Sequence, residues 1–132
     1  MYLKFSGKTI IITKGGSDVG RRTALKLAEY GARVVVVDSN VEDGNETLRL
    51  IQSCFGQGIF VHTDISNSKD VENLINKVLE VYDEINGLVN IFDTEDENVK
   101  VSLLNNSVEN GGCVVNIINN GIDKEKGYIL RI

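Results

Sequence analysis

The chain has 132 residues, 42% of them apolar and 25% charged, which suits one globular domain, residues 1–132, around a single core. Its net charge of −5 excludes general affinity for nucleic acid or anionic membrane surfaces. No apolar run reaches about 18 residues, and Met1 to Gly7 has no basic-then-apolar leader, so the chain reads as cytoplasmic, with neither membrane span nor signal peptide. The pattern then alternates. Lys8 to Thr13 is a short β-rich run, and Asp18 to Tyr30 is helical, with Gly31 as its C-terminal cap. Arg33 to Asp38, RVVVVD, is a continuous apolar run of the kind that parallel strands buried on both faces require. Asn40 to Cys54 is helical, with Asn40 as N-cap. Gly58 to His62 is a third strand. Ser68 to Tyr82 is a helix with Val71, Leu74, Ile75, Val78 and Leu79 at three-and-four spacing. Gly87 to Phe92 is a fourth strand, Val99 to Asn110 a short helix and Gly112 to Ile118 a fifth strand.

Strand then helix, repeated, predicts a three-layer α/β fold: a doubly wound, Rossmann-like parallel sheet of five strands in order 3-2-1-4-5. Gly127 to Ile132, GYILRI, is positioned to turn back as an extra antiparallel edge strand. Cys54 and Cys113 stand far apart with no CxxC, and are expected to be reduced thiols in the core. His62, the only histidine, has no ligand partners nearby in sequence, so no metal site is expected.

The stretch TKGGSDVG, Thr13 to Gly20, joins the first strand to the first helix. Such a loop presents free N–H groups and the positive end of the helix dipole to an anion. Asp18, or Ser17 beside it, can instead accept those N–H bonds and fill the site from within. Both readings, a phosphate loop and a self-capped turn, stand at this point. Asp38 ends the second strand and Asp64 follows the third, and each is equally placed to serve a local turn or cap.

From residue 1 to about 121 the chain resembles the N-terminal portion of a short-chain dehydrogenase/reductase. FSGKTIIIT, TKGGSDVG, VVVVDSN, HTDIS, INGLVNIFD and GGCVVNIINNG fall in that family's order. The resemblance implies a dinucleotide site built from Thr13, Lys14, Gly15, Gly16, Ser17, Asp18, Val19 and Gly20. It makes Asp38 the ribose acid, favouring NAD over NADP, and brings Asp64 to the adenine amino group. The family pattern wants glycine where Lys14 and Asp18 stand, and keeps it at Gly20. Where the family has NNAG, the chain has Asn90, Ile91, Phe92 and Asp93, of which Asn90 is retained and able to tie strands together. Asn119 occupies the place of the family's catalytic serine. Tyr128 is the only tyrosine downstream, but it lacks the lysine that a YxxxK motif would put on its own helix face. Asn119 and Tyr128 are the candidate catalytic groups, and the expectation is a catalytically inactive relative with weak or lost NAD binding. The alternatives are an NAD-dependent oxidoreductase with an atypical site or a completing partner, and a purely structural or interaction module. The apolar edge left by the fifth strand points to a homodimer.

Overall fold

The computed structural model describes residues 4–93, 102–118 and 129–131. The elements in chain order are β1 (Thr9–Ile12), α1 (Asp18–Glu29), β2 (Arg33–Asp38), α2 (Val41–Ser53), β3 (Gln57–His62), α3 (Ser68–Tyr82), β4 (Gly87–Phe92), α4 (Ser102–Ser107), β5 (Cys113–Ile118) and β6 (Ile129–Arg131). The sheet runs β3-β2-β1-β4-β5-β6. Its first five strands are parallel in the order 3-2-1-4-5, and β6 pairs antiparallel with β5, Ile117 facing Leu130. The extra edge strand suggested by GYILRI is therefore present, as three residues.

Alternation along buried strands explains the layers. Ile11, Val35, Val37, Leu88 and Phe92 point to one face, where they pack with Val71, Leu74 and Val78 of α3 and with Leu104 of α4. Ile10, Ile12, Val34, Val36, Val89 and Ile91 point to the other, against Val19 and Ala24 of α1 and Ile51 of α2. Of the expected α3 stripe, Val71, Leu74 and Val78 are buried, while Leu79 lies at the rim, 37% exposed. Of the helix expected over Val99 to Asn110, Ser102–Ser107 is helical among the described residues, and the helix ends before Val108.

The helix ends follow their caps. Ser17 Oγ accepts from Gly20 N–H, Asn40 Oδ1 from Asp43 N–H and Asn67 Oδ1 from Asp70 N–H. Gly31, at φ 91°, closes α1: its N–H reaches the Ala28 carbonyl and that of Ala32 reaches Leu27. The same bonds close α2 around Phe55, at φ 62°. The expectation for the cysteines is corrected. Cys54 caps the exposed C-terminus of α2 and Cys113 opens β5 at its rim, so both thiols are free and solvent-exposed.

Candidate functional site

In an open α/β sheet, ligands bind outside the carboxyl ends of the strands where the strand order reverses. Here that switch point lies between β1 and β4, and the loops that follow both strands meet there. Thr13 fixes their relation. Its N–H reaches the Val89 carbonyl at 3.0 Å, and its buried Oγ1 accepts from Ile91 N–H at 2.8 Å.

The loop then turns through Lys14, which takes the left-handed φ of 49° expected of the glycine it replaces. Ser17 N–H and Ser17 Oγ both donate to the Lys14 carbonyl, at 3.0 and 2.6 Å, and so hold the turn shut. Gly20 is demanded by packing: a Cβ there would lie 2.0 Å from the Lys14 carbonyl oxygen. A Cβ at Gly16 would meet the Asp43 backbone at 2.7 Å, so the first turn of α2 presses directly on the loop. Arg21 secures that approach. Its guanidinium donates to Thr47 Oγ1, the Gly16 carbonyl and the Asp43 carbonyl, and Thr47 in turn donates to the Gly15 carbonyl.

The helix mouth is only partly self-filled. Ser17, not Asp18, is the cap, and it occupies the Gly20 N–H. Asp18 turns outward to pair with Arg22 at 2.8 Å, with four-fifths of its side chain exposed. The N–H groups of Asp18 and Val19 are the first-turn donors that such a cap does not reach. Asp38 stands beside them at the end of β2. Its two carboxylate oxygens accept from Gly16 N–H and Asn40 N–H, each at 2.9 Å. The structure thus brings Thr13, Lys14, Gly15, Gly16, Ser17, Asp18, Val19, Gly20 and Asp38 to one place.

Asp64 follows β3, one residue after Thr63, whose N–H donates to the Asp38 carbonyl at 3.1 Å. It does not cap α3, whose cap is Asn67; its carboxylate accepts from Ser66 N–H and Oγ. Asn90 is fully buried in β4. Its amide donates to Asn116 Oδ1 of β5 at 3.0 Å and to Asn105 Oδ1 of α4 at 3.1 Å, which ties three elements together as its retention suggested. Ile91 and Phe92 continue the strand into the two opposite cores in place of a small turn. Asn119 and Tyr128 lie outside the described residues. Burial pushes the Tyr82 phenol up, against a smaller opposing pull from Arg33, but that ring packs on the first residue of β2 at the far end of the sheet.

Reading the sequence missed Arg21, Thr47 and Asp93. Asp93 follows β4 and its carboxylate forms an ion pair with the Lys14 ammonium. The signal for it was present in the motifs: two positions where the family pattern has glycine carry opposite charges here.

The model of the short chain dehydrogenase family matches residues 8–92. The chain belongs to that family. This short-chain dehydrogenase homologue is 38% identical over 88 residues to an uncharacterized oxidoreductase of Thermotoga maritima, covering 67% of this chain and 34% of the relative. It is 31% identical over 84 residues to the short-chain dehydrogenase/reductase homolog YusS of Bacillus subtilis, 63% of this chain and 77% of that one. The chain spans about a third of the length of the first curated relatives it matches. Among solved structures, it is similar to the citronellol catabolism dehydrogenase of Pseudomonas aeruginosa PAO1, with a TM-score of 0.77 and 30% identity over 88% of this chain and 57% of that one. A 7α-hydroxysteroid dehydrogenase complexed with NADH and a 7-oxo bile acid conjugate matches with a TM-score of 0.65 and 31% identity, over 68% of this chain and 35% of that one.

Proposed function

We propose that this short-chain dehydrogenase homologue is a nucleotide-binding-fold domain that holds NAD weakly and transfers no hydride. The observation that carries the reading is the Asp38 carboxylate, held at the end of β2 by two backbone N–H groups beside the turn at Gly16. A carboxylate there accepts from a ribose diol and repels a 2′-phosphate, which favours NAD over NADP. The residues fit a dinucleotide in part: the turn survives, Gly20 keeps the helix close, and the Ser17 cap leaves other first-turn N–H groups of α1 for an anion. When bound, NAD would supply hydride chemistry; this chain's residues would supply only anchorage.

Two features weaken the site. Ser17 Oγ occupies one first-turn donor, and Lys14 is engaged by Asp93. A charge-assisted hydrogen bond to phosphate is worth roughly 1.5–3 kcal/mol. Forgoing two of them moves a micromolar site toward millimolar, at about 1.4 kcal/mol per factor of ten. The absence of hydride transfer rests on Asn119 in the serine position, where an amide stands in place of a hydroxyl. Calorimetric titration with NAD, NADH, NADP and NADPH tests the binding: millimolar NAD and still weaker NADP are expected, and micromolar affinity would overturn the reading. Cofactor absorbance in the presence of common alcohols, ketones and sugars should not change. Turnover abolished by Tyr128→Phe would sink the inactive assignment. A second reading, a purely structural or interaction module, is favoured by the Ser17 self-cap and predicts no heat with any of the four nucleotides.

A further inference from the structure

Lys14 and Asp93 are 79 positions apart in sequence, and each stands where the family pattern has glycine. The fold makes them neighbours. Strand β4 runs on past the end of β1: the last β1 residue, Ile12, is level with Val89, and β4 continues to Phe92. The Lys14 side chain reaches up this step to the carboxylate that follows Phe92. The resulting pair crosses the mouth of the crevice between β1 and β4, where this architecture places its ligand.

Stability does not account for the pair. Its side chains are 29% and 63% exposed, and exposed ion pairs contribute little. The turn also has to hold a lysine in a left-handed conformation that glycine adopts freely. What the pair does achieve is electrostatic. It neutralises the cation that opens the loop leading to α1, and it brings a carboxylate to that loop.

We propose that Lys14 and Asp93 form a clasp over the nucleotide crevice, which a diphosphate opens by taking the lysine from the aspartate. This rests on the nucleotide-site reading above. Closed, the clasp excludes ligands that lack a diphosphate. Open, Lys14 supplies the phosphate interaction that the loop's altered glycine positions no longer provide. Asp93 and the ligand therefore compete for the Lys14 ammonium.

Four proteins test this: the wild type, D93N, K14M and the double variant, each titrated calorimetrically with NADH and with ADP. D93N should bind both ligands about fivefold more tightly, the scale on which an exposed ion pair competes. K14M should bind more weakly than wild type. The gain from removing Asp93 should shrink to about twofold or less when Lys14 is absent, because only direct repulsion then remains. D93S, checked with D93N by circular dichroism, guards against a local folding defect. Equal gains in both backgrounds would show that Asp93 merely repels, and overturn the clasp. Binding by wild type that D93N leaves unchanged or weakens would overturn it too, with the nucleotide site intact. Absence of binding in all four proteins would overturn the nucleotide reading itself and the clasp with it.

Discussion

A methyl group on Gly20 would lie 2.0 Å from the Lys14 carbonyl oxygen, a clash with backbone that no side-chain rotation relieves. Gly20→Ala must separate α1 from the loop and should cost about 3 kcal/mol, at the upper end of ordinary overpacking. Urea denaturation followed by circular dichroism measures it, and a loss below about 1 kcal/mol would contradict the close approach. Asp38 makes the complementary prediction, on binding. Asp38→Asn keeps the shape but exchanges a charge-assisted acceptor for a neutral one, so NAD affinity should fall about tenfold while NADP affinity falls less. Equal losses for both cofactors would remove Asp38 from the ribose. Sequence marked Gly20 as the glycine that the motif keeps, and left Asp38 open between a ribose acid and a strand-end turn residue. It did not show that Ser17 rather than Asp18 is the cap, since both are good N-caps and only the backbone start of α1 separates them. Nor did it show that Lys14 keeps the turn: a lysine at a glycine position reads as damage, whereas the chain adopts φ 49° and the two Ser17 bonds hold it there.

At the scale of elements, β4 is where this chain departs furthest from its family pattern. The small turn becomes two more strand residues, and Phe92 fills the core between α3 and α4 without exposure. Asn90, one pleat earlier, fastens the remaining short helix: its amide spans Asn105 of α4 and Asn116 of β5. Asn90→Ala would leave a cavity and strip both asparagine acceptors of a buried donor. The expected loss is about 3 kcal/mol, combining truncation with unpaired polar groups. Guanidinium denaturation checks the total. Hydrogen exchange checks the location, because α4 and β5 should lose protection before β1 and β2 do. Uniform loss across the sheet would refute the fastening role. The strands themselves were legible, since runs such as RVVVVD have no other use in a chain this short. Helix α4 was expected as a short helix over Val99 to Asn110, but its end was not legible, because so short a helix spans few turns and sets no clear period. The cysteines were misjudged for a related reason: a thiol's usual burial is a tendency of the residue type, and both stand at element ends, where strand or helix periodicity says nothing.

For the whole molecule, the open edge of the sheet is where the expected self-association can be tested. A homodimer through the open apolar edge of β5 was the expectation from sequence. Strand β6 changes the terms by pairing with Asn116, Ile117 and Ile118. Among the described residues, the Cys113–Val115 half of that edge has no strand beside it, and Ile129–Arg131 is itself short. Short edge strands are one way sheets avoid joining other sheets. The proposed self-association is therefore a weak dimer at most while β6 is in place, because three residues of open ladder offer little surface for a two-fold interface. Deleting Gly127 to Ile132 removes β6 and exposes the full six-residue edge of β5, with Val115 and Ile117 along it. The shortened protein should associate more strongly, and light scattering at micromolar concentration should show a higher mass than for the full chain. Its NAD affinity should change less than about twofold by titration, since the loop at Lys14–Gly20 and Asp38 lie across β4 and β1 from that edge. A shortened protein that stays monomeric and soluble would show that β6 does not protect the edge. One that loses NAD binding along with its monomeric state would show that edge and site are coupled through β4, whose pairing with β1 and β5 joins them.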